Sequence, residues 1–284
     1  MDYLLVLVAT MCLAGEFAFS KKYQNLEGTD IVAGLRFNAL AGSISAVVMF
    51  AAQGFRLEWS WVSLLLAFGM SACCMAYSII GFRVLKAGGM ALYSTFLMGG
   101  GMLLPYLFGV VFLKEVLTVP RIIGMIFVLA AVVMTNFRKE KIDGKLLLLC
   151  AAVFVLNGGV SIISKCHQVC TVPVVSSSAF VMYSGLGKAL FSGAALLICT
   201  KKDTKPMQGI SAASVVGAAI IGSASYFLQL LGAKNLPASV LYPMVTGGGV
   251  IFSALSGRLF FREKLSASQI VSIVICFIGT LLFL

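Results

Sequence analysis

Ten apolar runs, each about the length of a bilayer crossing, follow one another along the chain with short polar connections between them. They cover residues 2–20, 30–52, 60–82, 87–112, 119–137, 145–164, 173–199, 208–231, 236–261 and 265–283. A helix needs roughly 20 apolar residues to cross the hydrocarbon, so each run predicts one transmembrane helix. The connections carry most of the charge, as in KKYQNLEGTD, RKEKIDGK, TKKDTK and REKLS. The predicted fold class is therefore all-α: a polytopic membrane protein of ten transmembrane helices.

The pattern is written twice. Residues 91–134 and 240–283 align on Glu115 and Glu263, an offset of 148, which brings Gly99, Gly100 and Gly101 onto Gly247, Gly248 and Gly249 and Lys114 onto Arg262. Upstream, Ser20-Lys21-Lys22-Tyr23-Gln24 matches Ser164-Lys165-Cys166-His167-Gln168 at an offset of 144, which also places Gly15 on Gly159. The predicted units are residues 1–142 and 143–284, five spans each. An odd number of spans turns the second unit over in the bilayer, and inverted repeats are the architecture of alternating access around a midplane site.

Composition agrees. Hydrophobic residues make up 60% of the 284-residue chain and charged residues 11%, more apolar surface than a soluble domain of this size covers. The net charge of +11 lies in clusters between spans, which reads as topology charge at the membrane interface and not as a nucleic-acid surface. Most of the eight cysteines fall inside apolar runs and read as small core residues without a disulfide framework. Asp2, where a signal peptide carries a basic region, argues against a cleaved leader.

Two five-span halves, Gly-rich fourth and ninth spans, and the junctions Lys114-Glu115-Val116-Leu117-Thr118 and Arg262-Glu263-Lys264-Leu265-Ser266 resemble the EamA family of the drug/metabolite transporter superfamily. The resemblance covers the whole chain and implies a transporter, not an enzyme. Leu13-Ala14-Gly15-Glu16 is similar to the membrane glutamate of the small multidrug resistance proteins, where the acid binds a proton or a cationic substrate; that likeness implies the same for Glu16.

Lysines and arginines number fifteen on the side of connections 1–2, 3–4, 5–6, 7–8 and 9–10. On the other side there are five: Arg56, Lys114, Arg121, Lys165 and Lys234. The positive-inside rule predicts both termini outside the cytoplasm of a plasma or inner membrane, whereas ten-helix relatives are generally drawn with both termini inside.

Ionisable groups within spans are costly and so mark function. Glu16 is the candidate for proton coupling and for solute binding, with a structural pair to Arg36 as the alternative. Lys188 lies near the middle of span seven. Spans one and seven run the same way, and the two residues differ by ~5 Å in depth at 1.5 Å per residue. They either pair directly or form the two poles of a site for a zwitterion. Tyr93, Tyr242, Tyr183, Tyr226, Gln229 and Asn157 are further candidates for a polar cavity wall, with Asn38 and Tyr77 beside them. Gly99, Gly100, Gly101 and Pro105, with Gly247, Gly248, Gly249 and Pro243, form candidate hinge or packing seams, and spans four and nine are expected to cross closely on them.

Cys166, His167 and Cys170 lack the fourth ligand of a structural metal site. No metal and no cofactor is expected, and no phosphate-binding loop or Ser-His-Asp set is present. The expected partners are a small-molecule solute and the lipid bilayer; a monomer is expected, with a homodimer left open. The leading function is a secondary transporter, exchanging or proton-coupled, of a small polar metabolite or amino-acid-like solute. The alternatives are a proton-coupled exporter of organic cations and a membrane partner that does not transport.

Overall fold

The computed structural model describes residues 2–136, 143–199, 207–262 and 266–284, without the side chains of residues 82, 85, 86, 88–91, 135 and 136. All regular structure among them is helical: α1 (Asp2–Glu27), α2 (Ile31–Ala52), α3 (Trp61–Val111), α4 (Val119–Asn136), α5 (Gly144–Gln168), α6 (Ser177–Cys199), α7 (Gly209–Asn235), α8 (Ala238–Phe261) and α9 (Ala267–Leu281). Eight stretches are long and apolar enough to cross a membrane, including Trp61–Gly81 and Leu92–Val111 within α3; Val119–Met134 and Ala267–Leu281 are shorter apolar helices. Together they make ten helices, and the chain is a multi-pass membrane protein.

Start signals are local. Asp30 Oδ1 accepts from Ala33 N at 2.9 Å, and Asp143 Oδ1 accepts from Leu146 N at 2.7 Å. Ser266 and Gln269 form a reciprocal capping box at α9. Within the helices, Ser71, Ser78, Ser184, Ser214, Ser223 and Ser272 donate to the carbonyl four residues back, so their hydroxyl protons are satisfied without water.

The expected break between spans three and four is not a break in helical backbone: α3 is helical over 51 residues. Straight, it would reach about 77 Å, against roughly 30 Å of hydrocarbon. It folds back instead. A methyl group on Gly81 would lie 2.5 Å from the Tyr93 ring, although twelve residues of straight helix separate by roughly 18 Å. The other expected spans appear as separate helices, some longer than expected. α1 and α5 run on through their Lys-rich ends to Glu27 and Gln168, and α6 starts at Ser177, four residues late.

The halves embrace with reciprocal contacts. A methyl on Gly42 of α2 would lie 2.7 Å from Gly185 O and 2.8 Å from Ala189 N; one on Gly185 of α6 would lie 2.8 Å from Gly42 O and 3.0 Å from Ala46 N. Gly101 faces the Asn157 side chain, while its repeat mate Gly249 faces Leu13, which is Asn157 less the offset of 144. Gly100 packs on Phe154 backbone and Gly248 on Thr10, again 144 apart. Lys114 and Arg262, equivalent in the repeat, both take left-handed backbone at φ 54° and 53°.

These contacts correct one expectation. Segments four and nine do touch, yet their glycine runs are used on other partners: Gly99, Gly100 and Gly101 on α5, Gly248 and Gly249 on α1, and Gly247 on Thr280 of α9. Small residues let backbones approach wherever a partner helix lies, and the repeat places α5 and α1 there. Pro105 and Pro243 sit inside α3 and α8.

Candidate functional site

A cavity of about 420 Å³ lies between the halves, walled by α1, α2, α3, α5, α6, α7 and α8. Glu16 reaches it from α1 and Lys188 from α6, and Lys188 is the positive charge that bears on Glu16. Arg36 bears on Tyr23, near the end of α1. The Glu16 carboxyl lies over Gly222 of α7, where a methyl group would come within 2.6 Å of its Cδ. Only glycine leaves room for the carboxyl in this position.

Of the other expected wall residues, Asn157, Tyr226, Gln229 and Tyr242 line the cavity, as do Asn38 and Tyr77. Their hydrogen bonds hold them in place. Asn157 Nδ2 donates to Leu97 O at 2.7 Å, Tyr242 Oη donates to Ser161 O at 2.5 Å, and Tyr226 Oη bonds Ser164 Oγ at 2.7 Å. Gln229 Nε2 donates to Ser225 Oγ at 3.1 Å. Gly101 and Gly249 also reach the wall. Tyr93 and Tyr183 lie elsewhere: Tyr93 packs on Gly81, and Tyr183 Oη donates to the Glu58 carbonyl at the end of the bundle.

Much of the wall carried no signal in the sequence. Ser45, Ser161, Ser164 and Ser223 contribute hydroxyls; Phe17, Phe37, Leu97, Met98 and Val245 contribute apolar surface. A serine or phenylalanine inside an apolar run looks the same whether it faces lipid, a neighbour or a cavity, so only packing identifies these. Gly222 is the clearest residue the sequence did not flag.

At the end of the bundle that carries both termini, hydrogen bonds join residues before 142 to residues after 143. Glu58 accepts from Ser176 N at 2.5 Å and Ser176 Oγ at 2.7 Å, capping α6. Ser63 Oγ meets His167 Nε2 at 3.0 Å and accepts from Val175 N at 3.0 Å. Glu115 accepts from Ala238 N at 2.6 Å and Ser239 N at 2.8 Å, capping α8. Lys165, expected as a topology charge, is instead buried, and donates to Ala233 O and Leu236 O at 2.7 Å each. Arg138, Lys139, Lys141, Lys201, Lys202, Lys205 and Lys264, with Glu263, lie outside the described residues.

His167 stacks on Phe180 with centroids 3.8 Å apart. Among the described residues, no three of His, Cys, Asp and Glu converge as a metal-ligand set.

Residues 144–284 match the EamA-like transporter family. The chain belongs to that family. The match spans the second of the two units expected from the sequence. A solved structure titled "Crystal structure of protein" has the same fold, with a TM-score of 0.80 and 18% identity over 99% of this chain and 95% of that one. No curated protein matches the chain. Members of the EamA-like family are membrane transporters.

Proposed function

We propose that this chain is a secondary active transporter, exchanging or proton-coupled, that moves a small polar metabolite or amino-acid-like solute by alternating access. The observation that carries this reading is that Glu16 and Lys188 face one cavity between the halves. A cavity of about 420 Å³ lies at the small end of the range for ligand sites. Its carboxylate suits an ammonium group or a proton, its ammonium suits a carboxylate, and Phe17, Phe37 and Leu97 suit an apolar body. Export of organic cations is the weaker reading, because Lys188 opposes a second positive charge in the same low-dielectric space.

In this proposal residues 1–142 and 143–284 are the moving halves and Glu16 is the coupling group. The end of the bundle carrying the termini is extracytoplasmic in a plasma or inner membrane. A thermal-shift screen of purified protein against amino acids, organic cations and sugar phosphates tests the solute class, since a ligand of the folded state raises stability by mass action. Zwitterions are expected to stabilise it. Stabilisation by organic cations alone would overturn the reading. For a zwitterion found in this way, Glu16→Gln is expected to abolish proton-driven uptake into proteoliposomes while sparing solute–solute exchange.

A further inference from the structure

Lys188 lines two cavities. Besides the central one, it faces a pocket of about 40 Å³ enclosed by Asn38, Ser71, Cys74, Met75, Tyr77, Ser78 and Ser192. That is room for about one water molecule, or for a group of the same size such as a side-chain ammonium. Two of the hydroxyls here, those of Ser71 and Ser78, are arranged as acceptors. Ser71 Oγ directs its proton to Ala67 O at 2.8 Å and Ser184 O at 3.0 Å, and Ser78 Oγ donates to Cys74 O at 2.8 Å. With those protons committed to backbone carbonyls, both oxygens have only lone pairs to offer a guest. A lysine ammonium has three donors and no acceptor, so it matches these two oxygens.

We infer that this pocket is a second seat for the Lys188 ammonium, beside the seat facing Glu16. Lys188 is then a tethered counter-ion. In the empty carrier its ammonium faces Glu16, and the two charges offset each other in a place where either alone is costly. When a solute ammonium group or a proton takes Glu16, the flexible four-carbon stem of Lys188 carries its own ammonium into the side pocket, where Ser71 and Ser78 replace the lost partner. Cys74 and Tyr77 also face both cavities and form the wall between the two seats. The inference rests on the proposed central site and adds how that site is vacated: the incoming cation displaces a cation the protein already owns. A solute that brings both charges leaves Lys188 at the mouth of the pocket, within reach of a carboxylate.

The test uses dicyclohexylcarbodiimide, which adds to a carboxyl group that no cation engages. Labelling of Glu16 in the purified full-length protein is followed by peptide mass. Lys188→Met is expected to label about tenfold faster than the natural protein, as befits the loss of one partly buried pairing. The double variant Ser78→Val, Ser192→Val fills the pocket and confines Lys188 to Glu16; its labelling is expected to be slower by about the same factor. Adding Lys188→Met to that double variant is expected to restore the fast rate. If filling the pocket lowers the melting temperature, Ser71→Ala with Ser78→Ala removes the two acceptors without adding bulk and carries the same expectation.

Fast labelling of Lys188→Met with an unchanged rate in both serine variants would overturn the second seat and leave the central site standing. An unchanged rate in Lys188→Met would overturn the inference and the two-poled reading together. Absence of Glu16 labelling in every protein would overturn both as well, because the carboxyl would not be open to the cavity.

Discussion

Lys165 and Glu115, one from each half, grip opposite poles of the turn between α7 and α8. The ammonium takes the carbonyls of Ala233 and Leu236, where α7 ends, and the carboxylate takes the amides of Ala238 and Ser239, where α8 begins. A cation at a helix C-terminus and an anion at a helix N-terminus each complement the backbone dipole. The clamp also satisfies buried backbone groups that a two-residue turn leaves unpaired.

Removing either charge is therefore expected to destabilise the protein strongly. Lys165→Met leaves two buried carbonyls without their partner, a loss on the order of 3 kcal/mol. Glu115→Leu exposes two helix amides at similar cost, and Glu115→Gln, which keeps an acceptor oxygen, is expected to lose less. Melting temperatures in detergent, read together with variants of an exposed lysine, check the order. Equal stability of Lys165→Met and the natural protein would remove the clamp from the account.

The glycine runs are not uniform in their tolerance. A methyl on Gly100 would run into the Phe154 backbone, which cannot move aside, whereas a methyl on Gly249 would meet Leu13 Cδ2 at 3.6 Å, an ordinary contact. Gly100→Ala is expected to impair folding and Gly249→Ala to leave it nearly unchanged. Yield and monodispersity after size-exclusion chromatography distinguish them. The reverse order would mean that these helices pack with the opposite faces.

Gly222 supports Glu16 from below. Gly222→Ala pushes on a carboxyl at the free end of a flexible side chain, so the fold should tolerate it. Its expected effect is a weaker response to a zwitterionic solute, by about tenfold in half-saturating concentration, with little change in the unliganded melting temperature. A large loss of stability with unchanged solute response would assign Gly222 to packing alone.

The fifteen-to-five distribution of lysine and arginine sets the orientation that goes with the proposed function. A reporter active only in the cytoplasm, fused after Leu284, is expected to stay silent. A bright signal would turn the molecule over and place the hydrogen-bonded end in the cytoplasm.

Much of the architecture was legible along the chain because lipid imposes a simple rule: every crossing must be a helix with its backbone satisfied internally. Ten apolar runs thus became ten helices, and the glycine and Lys/Arg-Glu-x-Leu segments recur along the chain at an offset of 148. Glu16 and Lys188 stood out for the same reason, since a charge inside a span demands an explanation. Tertiary structure decided what no pattern along the chain can carry: which face of each helix meets which neighbour. It brought Gly222 beneath Glu16 and turned Lys165 from an apparent surface charge into a buried clamp. Tyr183 was drawn to Glu58 at the end of the bundle, and the glycine runs met α5 and α1. Inside an apolar run, lipid-facing, core and cavity positions share one composition, so the cavity wall exists only once the two halves have packed.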